Sequence, residues 1–64
     1  MKLSKPRIMV ILAERGMTVK DLAGLMGIQP SNLSALLNRG GCMAPTAGKV
    51  ARALNVPVSE IIED

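Results

Sequence analysis

Sixty-four residues suffice for one small domain, near the lower limit of what folds without a metal, disulfides, a partner subunit or a compact helical core. A single cysteine, Cys42, excludes an intrachain disulfide, and no histidine exists to complete a zinc set. The net charge of +3 is uneven: residues 1–41 carry six basic against two acidic side chains, residues 42–64 two against three, so a polyanion should meet the N-terminal part.

In chain order, Ser4 is a suitable N-cap for a first helix, with Pro6 tolerated in its opening turn. The helix is predicted to run to about Arg15, with Ile8, Ile11 and Leu12 on one face and Gly16 as its stop. Thr18 caps a second helix, and Asp21, three residues on, makes a capping box with Asp in the place of Glu or Gln. Leu22, Ala23, Leu25 and Met26 form its apolar set, and Gly27 ends it. So brief a helix must pack on its neighbours to persist.

Pro30 is favoured as the first residue of a third helix, predicted from Pro30 to about Asn38. Leu33, Leu36 and Leu37 stand at i, i+3 and i+4 on its inner face, opposite the small, mostly polar Ser31, Asn32, Ser34 and Ala35. Arg39-Gly40-Gly41 closes it, and a loop over Cys42–Ala44 follows. Pro45 and Thr46 open a fourth helix with Val50, Ala51 and Leu54 inward and Lys49 and Arg52 outward, ended by Asn55. Val56-Pro57-Val58-Ser59 leads into a last short turn, with Glu60 near its start and Ile61 and Ile62 as plugs. The fold class expected is therefore all-α, a compact arrangement of four to five helices forming a single domain over residues 1–64.

The aliphatic composition, without Phe, Tyr or Trp, suits tight helix packing. It also removes the readers of single strands and RNA that stack bases on aromatic rings, so any nucleic acid bound here should be a duplex read from a groove. The longest apolar stretch, Ile8–Ala13, is six residues, against about 20 for a spanning helix, and Glu14 and Arg15 end it. No small-residue cleavage pattern follows, so neither a membrane span nor an export signal is expected. The five methionines and Cys42 read as core filler, and a lone thiol suits a reducing, cytoplasmic setting.

The informative spacing lies within residues 19–38. Ala23 stands four residues before Gly27, Leu33 six after it and Leu36 nine after it. Close approach of two helices leaves room for only a small side chain at Ala23, and a left-handed turn favours glycine at Gly27. Leu33 and Leu36 anchor the second helix of the pair so that its opposite face projects outward.

This arrangement resembles the helix-turn-helix of the phage lambda-repressor and Cro family, also called Xre. Arg15-Gly16-Met17-Thr18 is similar to the family's approach to its second helix, Asp21-Leu22-Ala23 to its Glu-Leu-Ala, and Met26-Gly27-Ile28 to its Leu-Gly-Val. Lys49-Val50-Ala51-Arg52-Ala53-Leu54-Asn55-Val56 resembles its Lys-Ile-Ala-Lys-Ala-Leu-Gly-Val, with Ser59-Glu60-Ile61 after it. The likeness covers nearly the whole chain.

Three departures accompany it. Leu12 and Leu37 stand where relatives commonly have an Arg–Glu ion pair, which suggests a Leu12–Leu37 contact in its place. Val19 stands where the family favours a Gln that bonds the DNA backbone. The loop Arg39–Ala44 differs from the usual Gly-Lys-x-x-Pro, so its phosphate contacts do not carry over.

By the resemblance, the third helix would enter the major groove with Pro30, Ser31, Asn32 and Ala35 at the bases and Gln29 just before them. Asn and Gln can bind adenine in bidentate fashion, Ser can donate or accept, and Pro30 and Ala35 can meet a thymine methyl. Gln29 also reads as a plain cap and Pro30 as a plain helix starter. Phosphates would be met at the N-termini of the second and third helices and by Thr18, Lys20, Asn38 and Arg39, with Lys49 and Arg52 in second rank.

Nothing suggests an enzyme, a metal, a cofactor or a small-molecule ligand. There is no Cys–His pair, and no Gly-rich loop followed by Lys and Ser or Thr. The partner implied is double-stranded DNA. The resemblance implies a small transcriptional regulator, bacterial or phage-encoded, most simply a repressor. With few basic residues one copy should bind weakly, so a homodimer on a pseudo-palindrome is expected, joined around Val56–Ile62. The competing expectation is a helical protein–protein module, an antitoxin or phage accessory factor, to which the neutral third helix and Val19 lend some weight.

Overall fold

The computed structural model describes residues 1–63. In order the chain forms α1 (Lys5–Glu14), α2 (Val19–Met26), α3 (Pro30–Arg39), α4 (Ala44–Leu54) and a closing 3-10 turn (Val58–Glu60). The punctuation expected of the sequence sets the limits. The Ser4 side chain accepts from the Arg7 amide at 3.4 Å, so Ser4 caps α1. Thr18 and Asp21 make a reciprocal capping box, the Asp21 amide donating to Thr18 Oγ1 at 3.1 Å and the Thr18 amide to Asp21 Oδ2 at 2.9 Å. Gly27 ends α2 with φ at 71°, and Asn55 ends α4 with φ at 57°, a conformation that Asn tolerates better than most residues. The bounds otherwise differ from those read in the sequence by one residue: α1 stops at Glu14, α3 includes Arg39, and α4 begins at Ala44 with Met43 as its N-cap.

One hydrophobic cluster joins all four helices. Ile8 and Leu12 come from α1, Leu22 and Ala23 from α2, Leu33, Leu36 and Leu37 from α3, and Ala47, Val50, Ala51 and Leu54 from α4. α2 packs against both α3 and α4, and its single methyl at Ala23 is fully buried in that contact. Each leucine taken wholly from water contributes about 1.5–3 kcal/mol, which is how eight- to eleven-residue helices too short to stand alone become stable together.

The segment before α1 closes the core from below, and the sequence carries no sign of it. Leu3 is 1% exposed and joins the cluster. The Leu3 amide donates to the Gly40 carbonyl at 2.8 Å, the Ser4 amide to Ile61 at 2.8 Å, the Cys42 amide to Met1 at 2.9 Å and the Glu63 amide to Lys2 at 3.0 Å. Residues 1–4 thus lie as an extended stretch between the end of α3 and the end of the chain, with bridge pairs Lys2–Gly41 and Leu3–Ile62. Ile61, fully buried, packs in the same cluster, and Ile62 is half-buried against it. Gly40 turns with φ at 82°, and a Cβ there would meet the Lys2 side chain at 3.5 Å.

Two readings of apolar residues need correction. Met17 and Met26 do pack against the core, but Met1, Met9 and Met43 are 53%, 41% and 75% exposed, so the methionines are not uniformly filler. Leu25 is 62% exposed. An eight-residue helix turns only one stripe inward, and Leu22, Ala23 and Met26 occupy it, leaving Leu25 about 100° away from its neighbours' face. Cys42 is half-buried and packs against the core.

Candidate nucleic-acid interface

α2, the turn at Gly27–Gln29 and α3 hold the candidate surface. Leu33, Leu36 and Leu37 are buried, so Ser31, Asn32, Ser34, Ala35, Asn38 and Arg39 form the outward face of α3, all exposed. Pro30 is half-buried at the start of the helix. Gln29 precedes it as N-cap in extended conformation and makes no side-chain capping bond, so its amide is free to bond a ligand. Of the residues expected to hold the motif, Ala23 and Leu33 are fully buried, Leu36 is 8% exposed, and Gly27 is left-handed.

Two shallow grooves flank this face. One is lined by Lys5 and Met9 of α1, Val19 of α2 and Ser34, Leu37 and Asn38 of α3. The other is lined by Ile28, Asn32, Leu36, Arg39, Cys42, Met43 and Thr46, so that the loop after α3 forms its far wall. Asn32 and Arg39 therefore share one edge of α3, and Ser34 and Asn38 the other, with Ser31 and Ala35 between.

The electrostatics of the two helix N-termini differ. At α2 the capping box takes up the Thr18 and Asp21 amides, and the negative charge of Asp21 opposes an incoming phosphate. Lys20, exposed beside it, supplies the countercharge. At α3 no acidic residue lies near in sequence: from Leu22 to Ser59 the chain has no Asp or Glu, and carries Arg39, Lys49 and Arg52. Of the two N-termini, that of α3 is the better seat for an anion.

One cation on this surface was not singled out from the sequence. Lys5 Nζ donates to Asn38 Oδ1 at 2.6 Å, which fixes an ammonium beside the last turn of α3 and leaves the Asn38 NH2 group outward. Lys5 lies 33 residues from Asn38, and no local pattern could have joined them. Lys49 and Arg52 line a different groove, with Leu25, Met26 and Ala53 on the α2–α4 side, apart from both flanks of α3.

Leu12 and Leu37 are 0% and 3% exposed and belong to the same cluster, so the place that an ion pair would take is apolar on both sides. Among the described residues no group of three His, Cys, Asp or Glu could hold a metal ion, and no helix is long and apolar enough to cross a membrane.

Comparison with known proteins agrees with this geometry. The family model for the Cro/C1-type HTH DNA-binding domain matches residues 7–64. No curated protein and no solved structure matches the chain.

Proposed function

The chain belongs to the Cro/C1-type helix-turn-helix DNA-binding domain family, and from that membership we propose that it is a small transcriptional repressor reading a pseudo-palindromic operator as a homodimer in the bacterial cytoplasm. Its α3 enters the major groove. Ser31, Asn32 and Ala35, with Gln29 and Pro30 at the helix start, meet the base edges, and Asn32 and Gln29 suit adenine. Thr18, Lys20, Asn38 and Arg39 meet phosphates on either side, and Lys5 joins them through its bond to Asn38.

The observation that carries the reading is the face of α3 itself. It is exposed, small and polar along its length, bears Arg39 at one end, and lies in a stretch of chain without a carboxylate. A solvated helix on an ordinary surface has no need of that exclusion, because mixed charges are the rule there. Affinity comes chiefly from phosphates and specificity from a few uncharged side chains.

Selection from random duplexes, repeated over a range of salt, tests it. Two copies, each with Lys5, Lys20 and Arg39 on phosphates, give a slope of log K against log salt of about −5. Enrichment of an inverted repeat with that slope is the expected result. Absence of both enrichment and salt dependence would favour the second reading, a helical protein–protein module, to which the exposed Leu25 and Met43 would then be assigned.

A further inference from the structure

α1 is apolar around almost its whole circumference. Ile8 and Leu12 face the core, yet Met9 and Val10 are 41% and 58% exposed, and Pro6 and Ala13 are exposed with them. A helix of that kind ordinarily has its outer side covered. Pro6, Val10 and Ala13 fall on one stripe by helical spacing. Beside the stripe runs a shallow groove lined by Pro6, Arg7, Val10, Ile11, Glu14 and Glu60. The groove where α1 meets α3 lies along Lys5 and Met9 and shares no residue with it.

The charges say what the face fits. Arg7 and Glu14 stand two helical turns apart on the same edge of the stripe, and the midpoint between them falls at Val10–Ile11. A two-fold axis through that midpoint sets a second α1 antiparallel, bringing Arg7 against the partner subunit's Glu14 at both ends. A parallel two-fold pairing would instead set the two charged edges on opposite sides of the contact, so that neither Arg7 nor Glu14 meets its counterpart. Among the described residues neither side chain is in an ion pair: Arg7 makes only a 3.5 Å contact with the Ser59 carbonyl, and Glu14 is exposed. Glu60 borders the groove near Arg7 without pairing to it. A patch complementary to itself is what an isologous interface requires.

We infer that this face of α1 is the interface between two copies of the chain, packed antiparallel through Pro6, Val10 and Ala13 with reciprocal Arg7–Glu14 pairs at its rim. This deepens the two-copy part of the functional proposal and moves the contact from the stretch Val56–Ile62, where Ile61 is buried in its own core and Val56 and Val58 pack against it. Only the Glu60 side of that stretch borders the new interface. The axis lies in the contact plane and perpendicular to α1, so it reverses the helix but leaves the flank that carries α3 on the same side in both copies. A single helix face buries less than the roughly 800 Å² per partner of a standard interface, so the pair is weak alone and reinforced when both copies hold one DNA.

Sedimentation equilibrium of the full chain without DNA decides it. The parent chain should show a monomer–dimer equilibrium. Arg7→Glu and Glu14→Arg should each weaken it by about tenfold, because each sets like charges at both ends. The double variant should restore it, and Val10→Asp should abolish it. All three positions are exposed, and thermal melts by circular dichroism should show every variant folded. A monomer at every concentration, or a dimer indifferent to the charge swaps and to Val10→Asp, would overturn the inference. The DNA-binding reading is tested separately: duplex binding by a dimer that ignores α1 sinks this interface alone, while an α1 dimer without duplex binding sinks only the operator reading.

Discussion

Lys5 Nζ and Asn38 Oδ1 lie 2.6 Å apart, joining the first residue of α1 to the last turn of α3. The bond is exposed, so it adds little to stability. Its consequence is positional: the ammonium stands at the edge of the outward face of α3.

Lys5→Gln should therefore weaken duplex binding with little change in melting temperature. Loss of one phosphate contact per copy lowers the salt slope of a dimer by about 2 in magnitude. Fluorescence anisotropy at several salt concentrations checks this; an unchanged slope would remove Lys5 from the interface.

Asn32→Ala and Arg39→Ala should separate specificity from affinity. Asn32→Ala should relax the preference at one base pair, worth about 1–3 kcal/mol, while Arg39→Ala should weaken all sequences alike. Binding to a panel of single-base operator variants distinguishes the two patterns, and both proteins should unfold as the parent does because both side chains are exposed.

Leu3→Ala should cost about 2–5 kcal/mol in urea unfolding, comparable to an interior leucine of any helix, because the side chain is 1% exposed. Val10→Ala, on the outer side of α1, is the control and should change stability by less than about 0.5 kcal/mol.

Leu12→Ala and Leu37→Ala should not be additive. Two buried residues in contact couple by about 0.5–3 kcal/mol, which a double-mutant cycle measures, and additive losses would show that they do not pack on each other. Leu37→Glu alone buries a carboxylate without a partner and should unfold the domain, whereas Leu12→Arg combined with Leu37→Glu should recover part of the loss.

Gly27→Ala should destabilise by about 1–2 kcal/mol through backbone strain alone. Its φ is 71°, and an added Cβ would meet nothing within 4 Å, so no steric clash contributes. A fall in melting temperature of several degrees is the expected reading.

Most of the helical frame was legible because it is local. The Ser4 cap, the Thr18–Asp21 box, the left-handed Gly27 and Pro30 at a helix start each act within four residues, and the spacing of Leu33, Leu36 and Leu37 declares an inner face directly. That spacing also determined which side chains of α3 point outward, whereas the candidate base contacts among them came from the family resemblance. Leu25 was the local exception. Its apolar character fitted the helix pattern, but which stripe of a two-turn helix faces inward depends on the neighbours it packs against.

Tertiary structure alone decided the features that span the chain. Residues 1–3 carry no helical or alternating pattern, and their partners, Gly40, Gly41, Cys42, Ile61, Ile62 and Glu63, lie far away in sequence. Backbone hydrogen bonds are indifferent to side-chain type, so such pairing leaves no mark in composition. The same holds for the Lys5–Asn38 bond and for the exposure of Val10 on the outer stripe of α1. The sequence by itself determined the helices, their caps and the face of α3. Only the folded chain decided which cation stands beside that face and which apolar surface of α1 is left in solvent.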